Sequence, residues 1–298
     1  MNIASVEKIA NAVLYEGYML YPYRASAVKN RQRFNFGVLY PREHCELQQG
    51  SDTWQTQTEC LVTGDATTRI EVKVRFLQLV TREERQEGIE RALNPPARAL
   101  DSLFGQTLRQ RFAFDGVVDA EVELEASRID GDLHRIRLLV RNCAALDSAN
   151  ASGRDEVLLR SLVSAHSILH VSGGAFVSLM DPPDQFRAAV AECRNVGTWP
   201  VLVGDEGQRD LLLSSPIILY DYPEVAPESP GDLFDGLEID EILALRILTL
   251  TDEEKQEVRN GDERARGILE RTEMLPAEHF QKLHGALRGL RECSEEAR

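Results

Sequence analysis

No stretch of the 298 residues approaches the roughly 18 consecutive apolar residues of a membrane-spanning helix, so no span is expected. The start, MNIASVEKIANAVLYEGYMLYPY, lacks a basic region followed by an apolar one and does not read as a secretory signal; the expected compartment is the cytoplasm. Cysteine is scarce. Its five positions, 45, 60, 143, 193 and 293, are odd in number and widely spaced, with no C-x-x-C. That pattern excludes a disulfide framework or a zinc ribbon and leaves reduced, mostly buried thiols. Base is also short, with 34 Lys and Arg against 49 Asp and Glu and a net charge of −15. Nucleic acid and anionic membrane surfaces both need clustered Lys and Arg, so neither is an expected partner. Also missing are a P-loop, a G-x-S-x-G elbow, an EF-hand loop and any internal repeat.

What is present is ordinary globular composition, 43% hydrophobic and 28% charged, with an uneven charge. Residues 221–241 carry eight acids (Asp221, Glu224, Glu228, Asp232, Asp235, Glu238, Asp240 and Glu241) and no base. Arg24, Lys29, Arg31, Arg33 and Arg42 make the N-terminal region locally basic. The asymmetry points to a protein partner, or to the two regions facing each other. Prolines 223, 227 and 230 remove backbone donors and fix φ, which makes the acidic stretch extended and stiff. It reads either as a rigid connector with solvated charges or as a docking surface. In the second reading Tyr220, Tyr222 and Phe234 are apolar anchors, and Tyr222, Glu228, Asp232, Phe234 and Asp235 are the central contacts.

The periodicities describe an α+β protein. An antiparallel β-rich body, sandwich or barrel-like, is expected over 1–220, a proline- and acid-rich connector over 221–236 and a helical segment over 237–298. Strands are expected at 33–41, 54–64 and 68–80. In the last, Ile70, Val72, Val74 and Phe76 alternate with Arg69, Glu71, Lys73 and Arg75. Residues 117–144 read as a hairpin with Asp130–Gly131 at a type I′ tip. Helices are expected at 81–93, within 97–112, at 154–170 and at 184–193, with strands around the turn DEGQRD. Thr251 and Glu254 form a capping box, Asn260–Gly261 ends that helix, and further helices follow near 263–273 and after Pro276.

Candidate chemistry is sparse. His166 and His170 stand four apart on the expected helix, as metal-binding pairs do, but no Glu follows His166 and no third ligand is obvious. His44, Cys45 and Cys60 offer soft ligands without a fourth. The acidic stretch matches no calcium loop and suits a helix N-terminus before residues 238–241. Asp205–Glu206 read as a solvated hairpin tip, and Ser172–Gly173–Gly174 as a turn. The residues therefore imply no cofactor and give no catalytic set. A metal-dependent hydrolase or metal-delivery protein using His166, His170 or the acidic cluster is the competing class.

The phrases YDYPEVAPESPGDLFDG and EIDEILALRILTLTDEEK resemble a family of bacterial proteins encoded beside high-affinity, actinobacterial-type nickel–iron hydrogenases. LYEGYMLYPYRASAVKNRQRFNFGVLYP and SLVSAHSILHVSGGAFVSLMDPP are similar too, so the resemblance covers most of the chain in three blocks. It implies an accessory role in hydrogenase maturation, with a hydrogenase subunit or another maturation factor as partner. It carries over no catalytic residue. A structural subunit retained in the finished enzyme is the further alternative.

Overall fold

The computed structural model describes residues 9–11, 13–14, 36–48, 50–82, 85–146, 153–223, 247–260 and 263–276. The chain divides into two compact units, one of residues 1–18 and 32–224 and one of 19–31 and 225–298.

The first unit is built on one long strand. β1 (Gln55–Arg82) is 28 residues long, where the sequence suggested two separate strands. Cys60, Val62, Ile70, Val72, Val74 and Phe76 face the main core, and the charged residues between them face away. A bulge replaces the expected break. Gly64 pairs with Gly174 and Arg69 with Ser172, so residues 65–68 oppose Gly173 alone. Thr68 Oγ1 donates to the Gly173 carbonyl at 2.8 Å, and a Cβ at Gly174 would lie 2.7 Å from the Thr63 carbonyl, which requires glycine there. Ser172–Gly173–Gly174 is thus part of a strand and not a turn between elements.

The remaining strands are β2 (Arg85–Leu93), β3 (Arg98–Ala99), β4 (Leu108–Phe114), β5 (Val118–Asp130), β6 (Leu133–Asn142), β7 (Val163–Val177), β8 (Trp199–Leu202) and β9 (Leu211–Ser215). They form a single sheet in the order β4-β5-β6-β1-β7-β9-β8, with β2 and β3 also on β1, and every ladder is antiparallel. The first part of β1 pairs with β6 through residues 55–63; the second pairs with β3 and β2 on that same edge, and β7 takes the other. The sheet curls over one face. Phe76 of β1 meets Phe114 of β4 edge-on at 5.5 Å, and Arg91 of β2 pairs with Asp115 just beyond β4 at 2.6 Å. Side chains from β1, β2 and β4–β9 share one core, which makes the body barrel-like and the protein α+β.

Three helix expectations fail for one reason: the polar or apolar period was set by which faces are covered. Residues 85–93 are strand β2, whose run of charged and polar residues reads like a polar helix; Glu90 there accepts from Arg75 of β1. Residues 97–112 hold β3, a 3₁₀ turn (Leu100–Leu103) and β4 in place of a helix. Residues 154–170 are helical only at α2 (Arg154–Leu158); His166 and His170 stand on β7. That strand is covered on both faces, Ala165, Leu169 and Val171 by the main core and Ile168 by a second cluster with Val13, Val201 and Leu213. A strand buried on both sides loses its alternation and reads as an apolar helix. Residues 36–41 make an isolated bridge through Leu39, between Thr53 and Leu162, ahead of α1 (Arg42–Gln48). The helix expected at 184–193 is a 3₁₀ turn (Asp184–Phe186) followed by α3 (Arg187–Ala191).

The type I′ dipeptide sits in the other hairpin. Asp115 and Gly116 both have positive φ, 52° and 68°, and the Val117 N–H donates to the Phe114 carbonyl. Between β5 and β6 the loop is Gly131–Asp132, with positive φ only at Gly131, the pattern of a type II′ turn. The outer face of these strands is a ladder of arginines and acids. Glu123 accepts from Arg109 and Arg141, both at 2.8 Å, Arg141 also reaches Glu121, and Arg137 reaches Glu125. Burial of the Glu123 carboxyl works against its charge, but the hydrogen bonds from Arg141 and Arg109 win and hold it below its ordinary pKa.

In the second unit α4 (Asp252–Arg259) begins at the expected capping box. Thr251 Oγ1 accepts from the Glu254 N–H, and the Glu254 carboxylate accepts from the Thr251 N–H at 2.9 Å. α5 (Glu263–Glu273) follows, and Glu273 pairs with Lys255 and Arg259 of α4. The expected helix after Pro276, and most of that expected from 237, lie outside the described residues. Among the described residues no helix is long and apolar enough to cross a membrane.

Phe76 is fully buried where the sheet closes on itself. Phe76→Ala is expected to cost about 3–5 kcal/mol. Urea unfolding followed by tryptophan fluorescence measures it, and a loss under about 1 kcal/mol would mean that the β1–β4 contact does not hold the body together.

Candidate functional site

The acidic segment leaves the body through residues 217–223, and the described part of it is tied down tightly. Ile217 and Leu219 pack inward on the second cluster, so the alternate residues Ile218 and Tyr220 point out, 70% and 76% exposed. Asp221 then turns back. Its Oδ1 accepts from the Leu202 N–H at 2.8 Å and its Oδ2 from the Ser178 hydroxyl at 2.6 Å. The Tyr222 N–H donates to the Leu202 carbonyl at 2.7 Å, and its hydroxyl donates to the Gln208 carbonyl at 3.0 Å. The Tyr222 ring packs on the main core. Its backbone sits in the left-handed region at φ 55°, which costs roughly 1–2 kcal/mol for a bulky residue. Two hydrogen bonds and ring burial offset that strain.

This clamp closes a sheet edge. β8 is the last strand in the order, and its outward-facing positions are Pro200, which has no N–H, and Leu202, whose N–H and carbonyl are taken by Asp221 and Tyr222. The structure therefore separates the site residues read from the sequence. Tyr220 stands in solvent, whereas Tyr222 makes internal contacts. Glu228, Asp232, Phe234 and Asp235 lie outside the described residues. Ser178, Leu202 and Gln208, which complete the clamp, carried no sequence signal, because each acts through a backbone group or a lone hydroxyl. Asp205–Glu206 occupy the exposed turn between β8 and β9, flanked by Gly204 and Gly207 at positive φ.

The histidines do not converge. Four rises along β7 put His166 about 13 Å from His170. His166 is buried; its Nδ1 donates to the Ser164 carbonyl at 2.9 Å and its Nε2 has no partner. Burial pulls this imidazole down to about 4, helped by Arg75 and Lys73, so it is neutral. His170 lies between two acids on opposite sides of its ring, with Nδ1 3.7 Å from Glu71 and Nε2 3.8 Å from Asp210. His44 Nε2 meets Asp52 at 3.1 Å. Burial, then Asp52, pushes the Cys45 thiol up to about 11, and burial raises Cys60, which is in the main core. Both sulfurs are protonated and poor ligands or nucleophiles. Among the described residues no three His, Cys, Asp or Glu side chains are grouped to hold a metal ion.

Two outcomes follow from these contacts. Asp221→Ala is expected to cost about 1–3 kcal/mol by orphaning the Leu202 N–H and the Ser178 hydroxyl, while Tyr220→Ala changes stability by less than about 0.5 kcal/mol. Urea unfolding of both variants checks this. The second concerns pH. The unfolded His166 titrates at its ordinary value, above the folded one, so its contribution is complete above about 6.5 and is lost as pH falls toward about 4. His166→Gln should flatten the stability–pH curve in that window by up to roughly 3 kcal/mol, read from urea midpoints at successive pH values.

No family model matches the chain, and no curated protein matches it either.

Proposed function

We propose that this protein is a non-catalytic accessory factor in the assembly of a nickel–iron hydrogenase, binding a hydrogenase subunit or another maturation factor through its acidic, proline-stiffened segment. The resemblance of residues 214–257 and of two further blocks supports the hydrogenase context. The observation that carries the binding role is the clamp at Asp221 and Tyr222, which ties the root of the acidic segment to the body while leaving Tyr220 exposed beside it. A segment with a fixed root and three prolines loses little conformational freedom when it docks, so its contacts are not spent on ordering. Of the candidate metal residues in the described body, His44 and His170 meet carboxylates, His166 donates through Nδ1 to a backbone carbonyl, and Cys60 lies in the core.

The test is affinity purification of the tagged protein from its source organism, with co-purifying chains identified by mass spectrometry. Unprocessed hydrogenase subunits should be captured and the finished enzyme should not. Asp232→Lys with Asp235→Lys and Phe234→Ala should lower capture, with urea unfolding as the check that the fold is kept. Recovery with the finished enzyme would make the chain a structural subunit, and stoichiometric nickel, zinc or iron in chelator-free protein would favour metal delivery or metal-dependent hydrolysis.

A further inference from the structure

Three loops of the body meet at the Asp221–Tyr222 clamp. Ser178 ties loop 178–181 to Asp221, and Gln208 ties loop 204–208 to the Tyr222 hydroxyl. Three of the eight large hydrophobic side chains exposed among the described residues stand here: Ile218, Tyr220 and, 47% exposed, Met180. With them are the exposed carboxylates of Asp181, Asp205 and Glu206. None of the three has an ion-pair partner among the described residues, and Arg209 is the one base on the adjoining chain. The contrast with the outer face of β4–β6 is direct, since there Arg109, Arg111, Arg137 and Arg141 each meet an acid. Here apolar surface and unmatched negative charge coincide on a backing fixed to β8.

Resting on the partner-binding reading above, we infer that this three-loop surface takes a cationic segment of the partner protein that carries an apolar anchor. The anchor packs on Tyr220, Ile218 and Met180, where burial of apolar area supplies affinity. Lys or Arg beside it meets Asp181, Asp205 and Glu206, which speeds encounter and rejects acidic segments. Because Ser178, Leu202 and Gln208 hold the backing in place, little ordering opposes binding.

The probe is a synthetic peptide rich in lysine and leucine with one tryptophan, titrated against the full-length protein by fluorescence anisotropy at low and physiological salt. An acidic peptide of matched length is the control. The basic peptide should bind, with affinity that falls as salt rises, and the acidic one should not. Tyr220→Ala combined with Asp205→Lys and Glu206→Lys should weaken binding about tenfold or more. Glu43→Lys with Glu46→Lys, on the separate helix α1, should change it less than about twofold. All substituted residues are exposed, so both variants should match the wild type in urea unfolding. Failure of the basic peptide to bind, or equal loss in both variants, would overturn the surface. If capture of hydrogenase subunits persists in the Tyr220 variant, the surface is wrong and the assembly role stands; if capture fails in the wild type, the assembly role itself is wrong.

Discussion

The body depends on keeping one strand's backbone paired. β1 offers 28 residues of N–H and carbonyl groups along two edges, and a buried group left unpaired costs about as much as a lost hydrogen bond. β6, β3 and β2 fill one edge in succession, and β7 fills most of the other. Where β7 ends, the chain near Val196 takes over: Gln57 and Val196 exchange both backbone bonds, and the Asn195 amide accepts from the Glu59 N–H and donates to its carbonyl. The same demand explains the clamp at the far end of the sheet. β8 would present an open edge, and Pro200, Asp221 and Tyr222 remove it.

The arginine ladder on the outer face follows from sheet geometry. Five of the 34 basic residues are lysine and the rest arginine. Side chains on adjacent antiparallel strands stand close enough for one guanidinium to reach two acids, as Arg141 reaches Glu121 and Glu123. A planar fork with five donors satisfies such a face better than a point-charge ammonium does. Gln55 and Gln57 of β1 join by accepting from Arg141 and Arg137, so the network spans four strands and stays tied to β1.

Where one face of an element meets water, its pattern was legible: the alternation at 69–76, the β5–β6 hairpin, and the capping box at Thr251 and Glu254 all appear in the structure. Where both faces are covered the pattern vanished. Ala165, His166, Ser167 and Ile168 are alike in being mostly apolar or small, and nothing local says that two different clusters lie above and below them. Asp130–Gly131 marked the β5–β6 hairpin, but a bulge at Ile129 shifts its loop to Gly131–Asp132, and the Asp115–Gly116 turn went unread just beyond an expected helix. The candidate site was legible as composition only. Tyr220 and Tyr222 read as two equivalent anchors, yet a left-handed backbone at the second turns one ring into the core and leaves the other in water.

The partners of β1 are far apart in the chain, and that sets an order for assembly. Thr58 bonds Ser214, 156 residues on, and Glu59 bonds Asn195, 136 residues on. At ribosomal rates of about 5–20 residues per second, the first part of β1 emerges on the order of ten seconds before those partners exist. The β5–β6 hairpin closes locally in microseconds and reaches β1 first. The other edge, with its apolar face, waits for β7, β9 and the turn at Val196, so the nascent chain carries an unfinished sheet until those residues have been made.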